Sequence, residues 1–170
     1  ESGEYWSPFP WPKKGKGRHT IRHGFGYSAF EHDESGINSL VSVFVDHERP
    51  IKYWLLEITN NSGKDASLSA IGYCEWVLGD LRLRNAAQIK TEYVKFHDCI
   101  LASNPYNMDF PGQVAFFGTS EENMTFSCDR SEFIGRNGSL EKPAALGRIC
   151  LSGIAGAGFD PCAAIQTAFE

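Results

Sequence analysis

Six carboxylates, Glu57, Glu75, Glu92, Asp109, Asp129 and Glu132, are the groups from which a hydrolytic pair could be drawn. Cleavage of a glycosidic bond needs two acids at a defined separation, one to give a proton and one to attack or to activate water. Acidic side chains scattered through a soluble chain are mostly surface groups, so no particular pair stands out. Glu75 is the unusual one, because it lies inside the apolar run Ile71-Gly72-Tyr73-Cys74-Glu75-Trp76-Val77-Leu78. A carboxylate in such a setting must be paired or hydrogen-bonded. It is therefore either an anchor for a basic loop residue or an acceptor for a sugar hydroxyl.

Other catalytic patterns are missing. His19, His23, His32, His47 and His97 show no metal-ligand spacing, and His19 and His23, four apart, fall in strand-like surroundings. There is no G-x-S-x-G elbow and no local Cys–His signature. The cysteines Cys74, Cys99, Cys128, Cys150 and Cys162 form no C-x-x-C pair and are odd in number. A disulfide framework or zinc site is not expected, and a reducing cytosol fits better. Residues Glu1-Ser2-Gly3-Glu4 lack the basic start and apolar stretch of a secretory signal. Without such a signal, three Asn-x-Ser/Thr sequons at Asn60, Asn123 and Asn137 carry little weight. The net charge of −5 and the shortness of the basic run Lys13-Lys14-Gly15-Lys16-Gly17-Arg18 argue against a nucleic-acid partner.

Planar polar side chains suited to sugar hydroxyls, with aromatic faces for sugar C–H surfaces, gather in loops. One such stretch is Asp80-Leu81-Arg82-Leu83-Arg84-Asn85-Ala86-Ala87-Gln88, another Asn104-Pro105-Tyr106-Asn107-Met108-Asp109-Phe110. A third, from Asp129 to Ser139, mixes opposite charges tightly.

The elements that must position these loops read as strands. Residues 1–18 are proline- and aromatic-rich and predict an extended lead-in. Strands are expected over 19–32, with glycine interruptions at Gly24 and Gly26, and over 36–46, where Val41, Val43 and Val45 alternate with Leu40 and Phe44. More are expected over 51–59 and 67–78, so that 36–78 would form an antiparallel meander. Further strands are predicted at 88–96, 114–118, 124–128 and 163–169. Helix is confined to short turns at 98–103 and 141–146. The pattern is that of one all-β, antiparallel sandwich over residues 1–170.

Several runs together resemble one family. They are Ile21-Arg22-His23-Gly24-Phe25-Gly26-Tyr27, Tyr73-Cys74-Glu75-Trp76-Val77-Leu78-Gly79, Ser103 to Phe110, Asp129 to Ser139, and Gly156-Ala157-Gly158-Phe159-Asp160-Pro161-Cys162. The chain is similar over nearly its whole length to the cellobiose and chitobiose phosphorylases and the cyclic β-1,2-glucan synthases. Its wording is closest to the phosphorylase-like region of the synthases.

That resemblance implies an N-terminal supersandwich of antiparallel strands, similar to galactose mutarotase, ahead of an (α/α)6 barrel that holds the general acid and the inorganic phosphate. It implies no cofactor in this segment. In the phosphorylases a sandwich loop bearing Gln and Arg reaches the acceptor-sugar site of a neighbouring subunit in a homodimer. By motif order that loop is Arg82, Arg84, Asn85 and Gln88 here, although this chain has Arg-Leu-Arg-Asn where the phosphorylases have adjacent Gln and Arg. The expectation is a non-catalytic module that binds a β-glucan oligosaccharide and packs on the barrel of a glycosyltransferase or phosphorylase. The setting would be the cytoplasm or the cytoplasmic face of an inner-membrane parent. The rival readings are a purely structural packing module and a mutarotase-like enzyme built on His23 and Glu75.

Overall fold

Alternating side chains and tight turns account for the first four strands in the computed structural model, which describes residues 3–169. Strands β1 (His19–Gly24), β2 (Tyr27–Glu34), β3 (Ile37–Val45) and β4 (Lys52–Asn60) form an antiparallel sheet in chain order. The glycine interruptions expected within 19–32 turn out to close a hairpin: Phe25-Gly26 joins β1 to β2, and Gly24 pairs with Tyr27. Ser35 and Gly36 join β2 to β3, both with positive φ (54° and 83°), the mirror-image turn that suits the twist of paired strands. Asp46 organises the next connection by accepting from the backbone N–H groups of Glu48 (2.9 Å) and Arg49 (3.0 Å). Ile37, Ser39 and Val41 bury one face of β3, whereas β4 is exposed along its whole length.

The chain divides into two compact units, Glu1–Ala66 and Ser67–Glu170. The first contains the sheet just described. The second contains two three-stranded antiparallel sheets. In one, β10 (Pro161–Phe169) lies between β5 (Leu68–Glu75) and β9 (Thr125–Asp129). In the other, β7 (Cys99–Ser103) lies between β6 (Lys90–Val94) and β8 (Val114–Gly118). Trp76, Ile89, Ile100, Ala102, Cys128, Ala163 and Ile165 form the core that joins the two sheets. The opposite face of the β5–β10–β9 sheet, through Ile71, Tyr73 and Ala164, meets Phe133, Ile134, Ala145 and Leu151. Phe133 and Ile134 belong to the short helix α2 (Arg130–Ile134). Strand β10 is thus covered on both sides, which is why its sequence, Pro161-Cys162-Ala163-Ala164-Ile165, is apolar without alternation.

The all-β, antiparallel class expected from the sequence holds throughout. Two expectations are corrected. The 36–78 meander ends at β4, because β5 pairs with β10 rather than with its predecessor. The 98–103 turn is strand β7, with Ile100 and Ala102 buried at alternate positions and Cys99, Leu101 and Ser103 only half-buried. Such two-residue periodicity belongs to a strand and not to a helical turn. Helix α2 was not anticipated; Asp129 caps it by accepting from the Ser131 N–H at 2.9 Å.

Candidate functional site

Strand β5 delivers Glu75 to the end of its sheet, where four segments of the second unit converge. Tyr73 Oη donates to Glu75 Oε1 at 2.8 Å, and Arg130 Nε, from the start of α2, donates to the same oxygen at 2.8 Å. Arg82 Nε lies 2.9 Å from Glu75 Oε2 as an ion pair, at an angle outside hydrogen-bond geometry. Arg82 also donates to Asp160 Oδ1 at 2.5 Å, and Arg130 Nη1 faces Asp160 Oδ2 at 3.5 Å. Two carboxylates and two guanidiniums therefore form a closed, charge-neutral ring, each about a quarter to a third exposed. Burial works against the charged form of Glu75. The hydrogen bonds from Arg130 and Tyr73, with the charge of Arg82, outweigh it and hold the carboxyl below the ordinary range. Burial, together with the bond to Glu75, pushes the Tyr73 phenol well up. Glu75 is an anchor for basic residues.

The short helix α1 (Arg82–Asn85) and the 3-10 turn Ala86–Gln88 hold the four residues expected to meet sugar. They do not converge on one point. Arg82 turns into the ring with Glu75. Arg84, largely exposed, donates to Asp80 Oδ2 at 2.6 Å. Asn85, buried, donates to Asp80 Oδ1 (2.9 Å) and to the Leu81 carbonyl (2.8 Å). Gln88 accepts from Asn104 Nδ2 at 3.4 Å. The Asn85 bond, then the Leu81 N–H and Arg84, keep the Asp80 carboxyl low.

What these residues support is an open cleft of about 370 Å³ between Leu78–Asp80 and the segment running from Asn104 into β8. Its polar lining is Asp80, Asn104, Asn107, Asp109 and Gln113, with Phe110 as its aromatic member. The Leu78 carbonyl ties the two walls together by accepting from Asn104 Nδ2 (2.9 Å) and Asn107 Nδ2 (3.3 Å). Asn107 Oδ1 in turn accepts from the N–H groups of Asp109 and Phe110, which fixes the loop bearing them. Sequence reasoning placed Asp80 and the 104–110 stretch among ligand-suited loops but missed Gln113, which lies just past that stretch and carries no spacing signal.

Chemistry of other kinds finds little footing. Among the described residues no group of three His, Cys, Asp or Glu side chains could hold a metal ion. Burial pushes the Cys74 thiol up to about 12 and Cys128 to about 11, so neither is a nucleophile at neutral pH. His23 is hydrogen-bonded to Ser28 Oγ at 2.9 Å and Glu75 is committed to its ring, so both members of the mutarotase-like pair already have partners. No helix among the described residues is long and apolar enough to cross a membrane.

Comparison with known proteins adds the following. Residues 1–170 match the family described as glycosyl hydrolase 94, supersandwich domain. The cyclic beta-(1,2)-glucan synthase NdvB of Rhizobium meliloti is 35% identical over 147 residues, 86% of this chain and 5% of that protein. The solabiose phosphorylase of Paenibacillus borealis is 27% identical over 87% of this chain and 20% of its own length. The N,N'-diacetylchitobiose phosphorylase of Vibrio furnissii is 25% identical over 99% of this chain and 22% of its own length. The chain thus spans between 5% and 22% of these relatives.

Proposed function

The chain belongs to the family of glycosyl hydrolase 94 supersandwich domains, and on that premise we propose that it is a carbohydrate-binding and scaffolding module with no proton-transfer chemistry of its own. The parent would be a β-glucan-processing glycosyltransferase or inverting phosphorylase, of the kind that makes cyclic β-1,2-glucan. The similarity to a cyclic β-(1,2)-glucan synthase supports that parentage. The observation that carries the non-catalytic reading is the neutral ring around Glu75: this carboxylate at the end of β5 is held ionised by two arginines and a tyrosine, so it has no proton to donate near pH 7.

In this reading an (α/α)6 barrel elsewhere in the parent supplies the general acid. Inorganic phosphate, also bound there, would attack the anomeric carbon. The α1 rim is then the part of the sandwich offered to the sugar, by proximity and shape. Arg82 ties the rim to Glu75 and Asp160, Asn85 and Gln88 brace it through Asp80 and Asn104, and the exposed Arg84 is the side chain offered to an acceptor sugar, in cis or across a homodimer. Calorimetric titration of β-1,2-gluco-oligosaccharides tests it. Binding heat is expected for the chain, reduced in Arg84→Ala, with no product formed even with phosphate present. Turnover by the chain alone overturns the non-catalytic reading, and the absence of heat overturns the binding one. The exposed apolar residues Trp54, Leu55 and Ile58 of β4 favour a second reading, in which the module packs on neighbouring protein and binds no sugar.

A further inference from the structure

Resting on that carbohydrate reading, we propose that the cleft between Leu78–Asp80 and Asn104–Ala115 is itself a subsite, and that it takes a neutral pyranose ring and rejects sugar phosphates. The groups that select the ligand are Asp109, Gln113 and Phe110, none of which belongs to the α1 rim.

Most polar groups of the lining are already used. Both carboxylate oxygens of Asp80 accept bonds, from Leu81 N–H, Asn85 and Arg84. Asn104 and Asn107 spend their amides on the Leu78 carbonyl and on loop N–H groups. The Asp109 carboxylate and the Gln113 amide have no hydrogen bond or ion pair among the described residues. They leave two acceptor oxygens and a donor–acceptor amide open beside an exposed phenyl ring, that of Phe110. A few fixed polar groups beside an apolar surface is the usual build of a small-molecule site, and about 370 Å³ falls within the range of such sites, about 300–1,000 Å³.

Charge decides the ligand class. The ionisable residues of the lining are Asp80 and Asp109; the first is offset by Arg84, and the second has no cation to offset it. The cleft therefore presents negative charge, and a phosphate or sugar phosphate is repelled. A divalent cation fares no better, because Asp109 is the only lining carboxylate not already engaged and such an ion needs several oxygen ligands. A neutral polyol remains: its hydroxyls can donate to Asp109, exchange bonds with Gln113, and lay a C–H face on Phe110.

The test is titration calorimetry with the neutral β-1,2-linked glucose disaccharide and with glucose 1-phosphate. The proteins are the chain and its Asp109→Ala, Phe110→Ala and Gln113→Ala variants, all at exposed positions, with equal melting temperatures confirming that each folds. The disaccharide is expected to bind the chain and to weaken about tenfold in Asp109→Ala and Phe110→Ala, the loss of one good contact. Glucose 1-phosphate is expected to bind the chain at least about tenfold more weakly than the disaccharide, with Asp109→Ala narrowing the gap. Disaccharide binding unchanged in the variants, or equal affinity for the phosphate, overturns the cleft while leaving the α1-rim reading in place. No binding by the chain overturns both.

Discussion

Glu75 accepts hydrogen bonds from Tyr73 and Arg130 and pairs with the charge of Arg82, and the consequence is a defined acid dependence. Its carboxyl is held below its ordinary value of 4.5, despite burial, by Arg130, Tyr73 and Arg82. A group depressed in the folded state contributes stability that is complete above its unfolded value and lost as pH falls through the folded one. The ring's contribution should therefore be intact at pH 7 and should fade below about pH 4.5. Because the ring is a quarter to a third exposed, solvent screening limits it; Glu75→Gln should cost about 1–2 kcal/mol at pH 7. Urea unfolding across pH 3–7 checks both points, with Glu75→Gln shallower below pH 4.5 than the parent. Equal midpoints at pH 7 would mean that the ring holds nothing together. The sequence made this residue legible as an anomaly, an acid in an apolar strand. Its partners were not legible, because Arg82, Arg130 and Asp160 come from segments far apart in the chain that only the pairing of β5 and β9 with β10 brings together.

At the scale of elements, the lead-in before β1 is held by close backbone contact with β2. The N–H groups of Lys16 (2.7 Å) and Gly17 (3.2 Å) donate to Glu34 Oε2. A Cβ on Gly17 would fall 1.5 Å from the Asp33 carbonyl, so only glycine permits that approach. The rings of His19 and His32 stack at 3.9 Å, with His32 fully buried between the Arg18 carbonyl and Glu34, each 3.2 Å away. Burial, then the adjoining His32 ring and Lys14, hold His19 below its ordinary 6.5, while the Pro8 carbonyl and Glu34 act the other way. A histidine depressed in this way stabilises the fold fully above pH 6.5 and progressively less as pH falls toward its folded value. Hydrogen exchange of residues 3–18, corrected for intrinsic rates, should show less protection at pH 5.5 than at pH 7.5, and His19→Phe should remove the difference. Gly17→Ala should lose the protection at both pH values. Protection that does not vary with pH in the parent would contradict this account. Residues 19–32 were legible as extended chain, though as one strand interrupted by Gly24 and Gly26 rather than as the hairpin of β1 and β2. Strand β7 was not: Cys99 to Ser103 is short, follows the positive-φ Asp98, and has partners that lie on either side of it in the chain.

Within the first unit, strand β4 is exposed along its whole length, and its chemistry sets how the chain behaves at concentration. Strand β4 pairs with β3 on one side only. Trp54, Leu56 and Ile58 point to one face and Tyr53 and Leu55 to the other, and all five are exposed. An open strand edge carrying large apolar side chains is a template for pairing with another chain. The net charge of −5 opposes this only weakly at physiological salt, where the screening length is about 8 Å. The sequence placed a strand at 51–59, after the turn Asp46–Pro50, and its run Tyr53-Trp54-Leu55-Leu56 puts apolar side chains on both faces. Sedimentation velocity over a hundredfold range of concentration should show reversible self-association of the chain. Leu55→Lys and Leu56→Lys, one on each face, should shift it toward the monomer with little loss of stability, because neither side chain lies in a core. If each lysine instead lowers the melting temperature by several degrees, β4 contributes to folding within the chain. If a monomer persists at every concentration in the parent, the exposed strand is not adhesive.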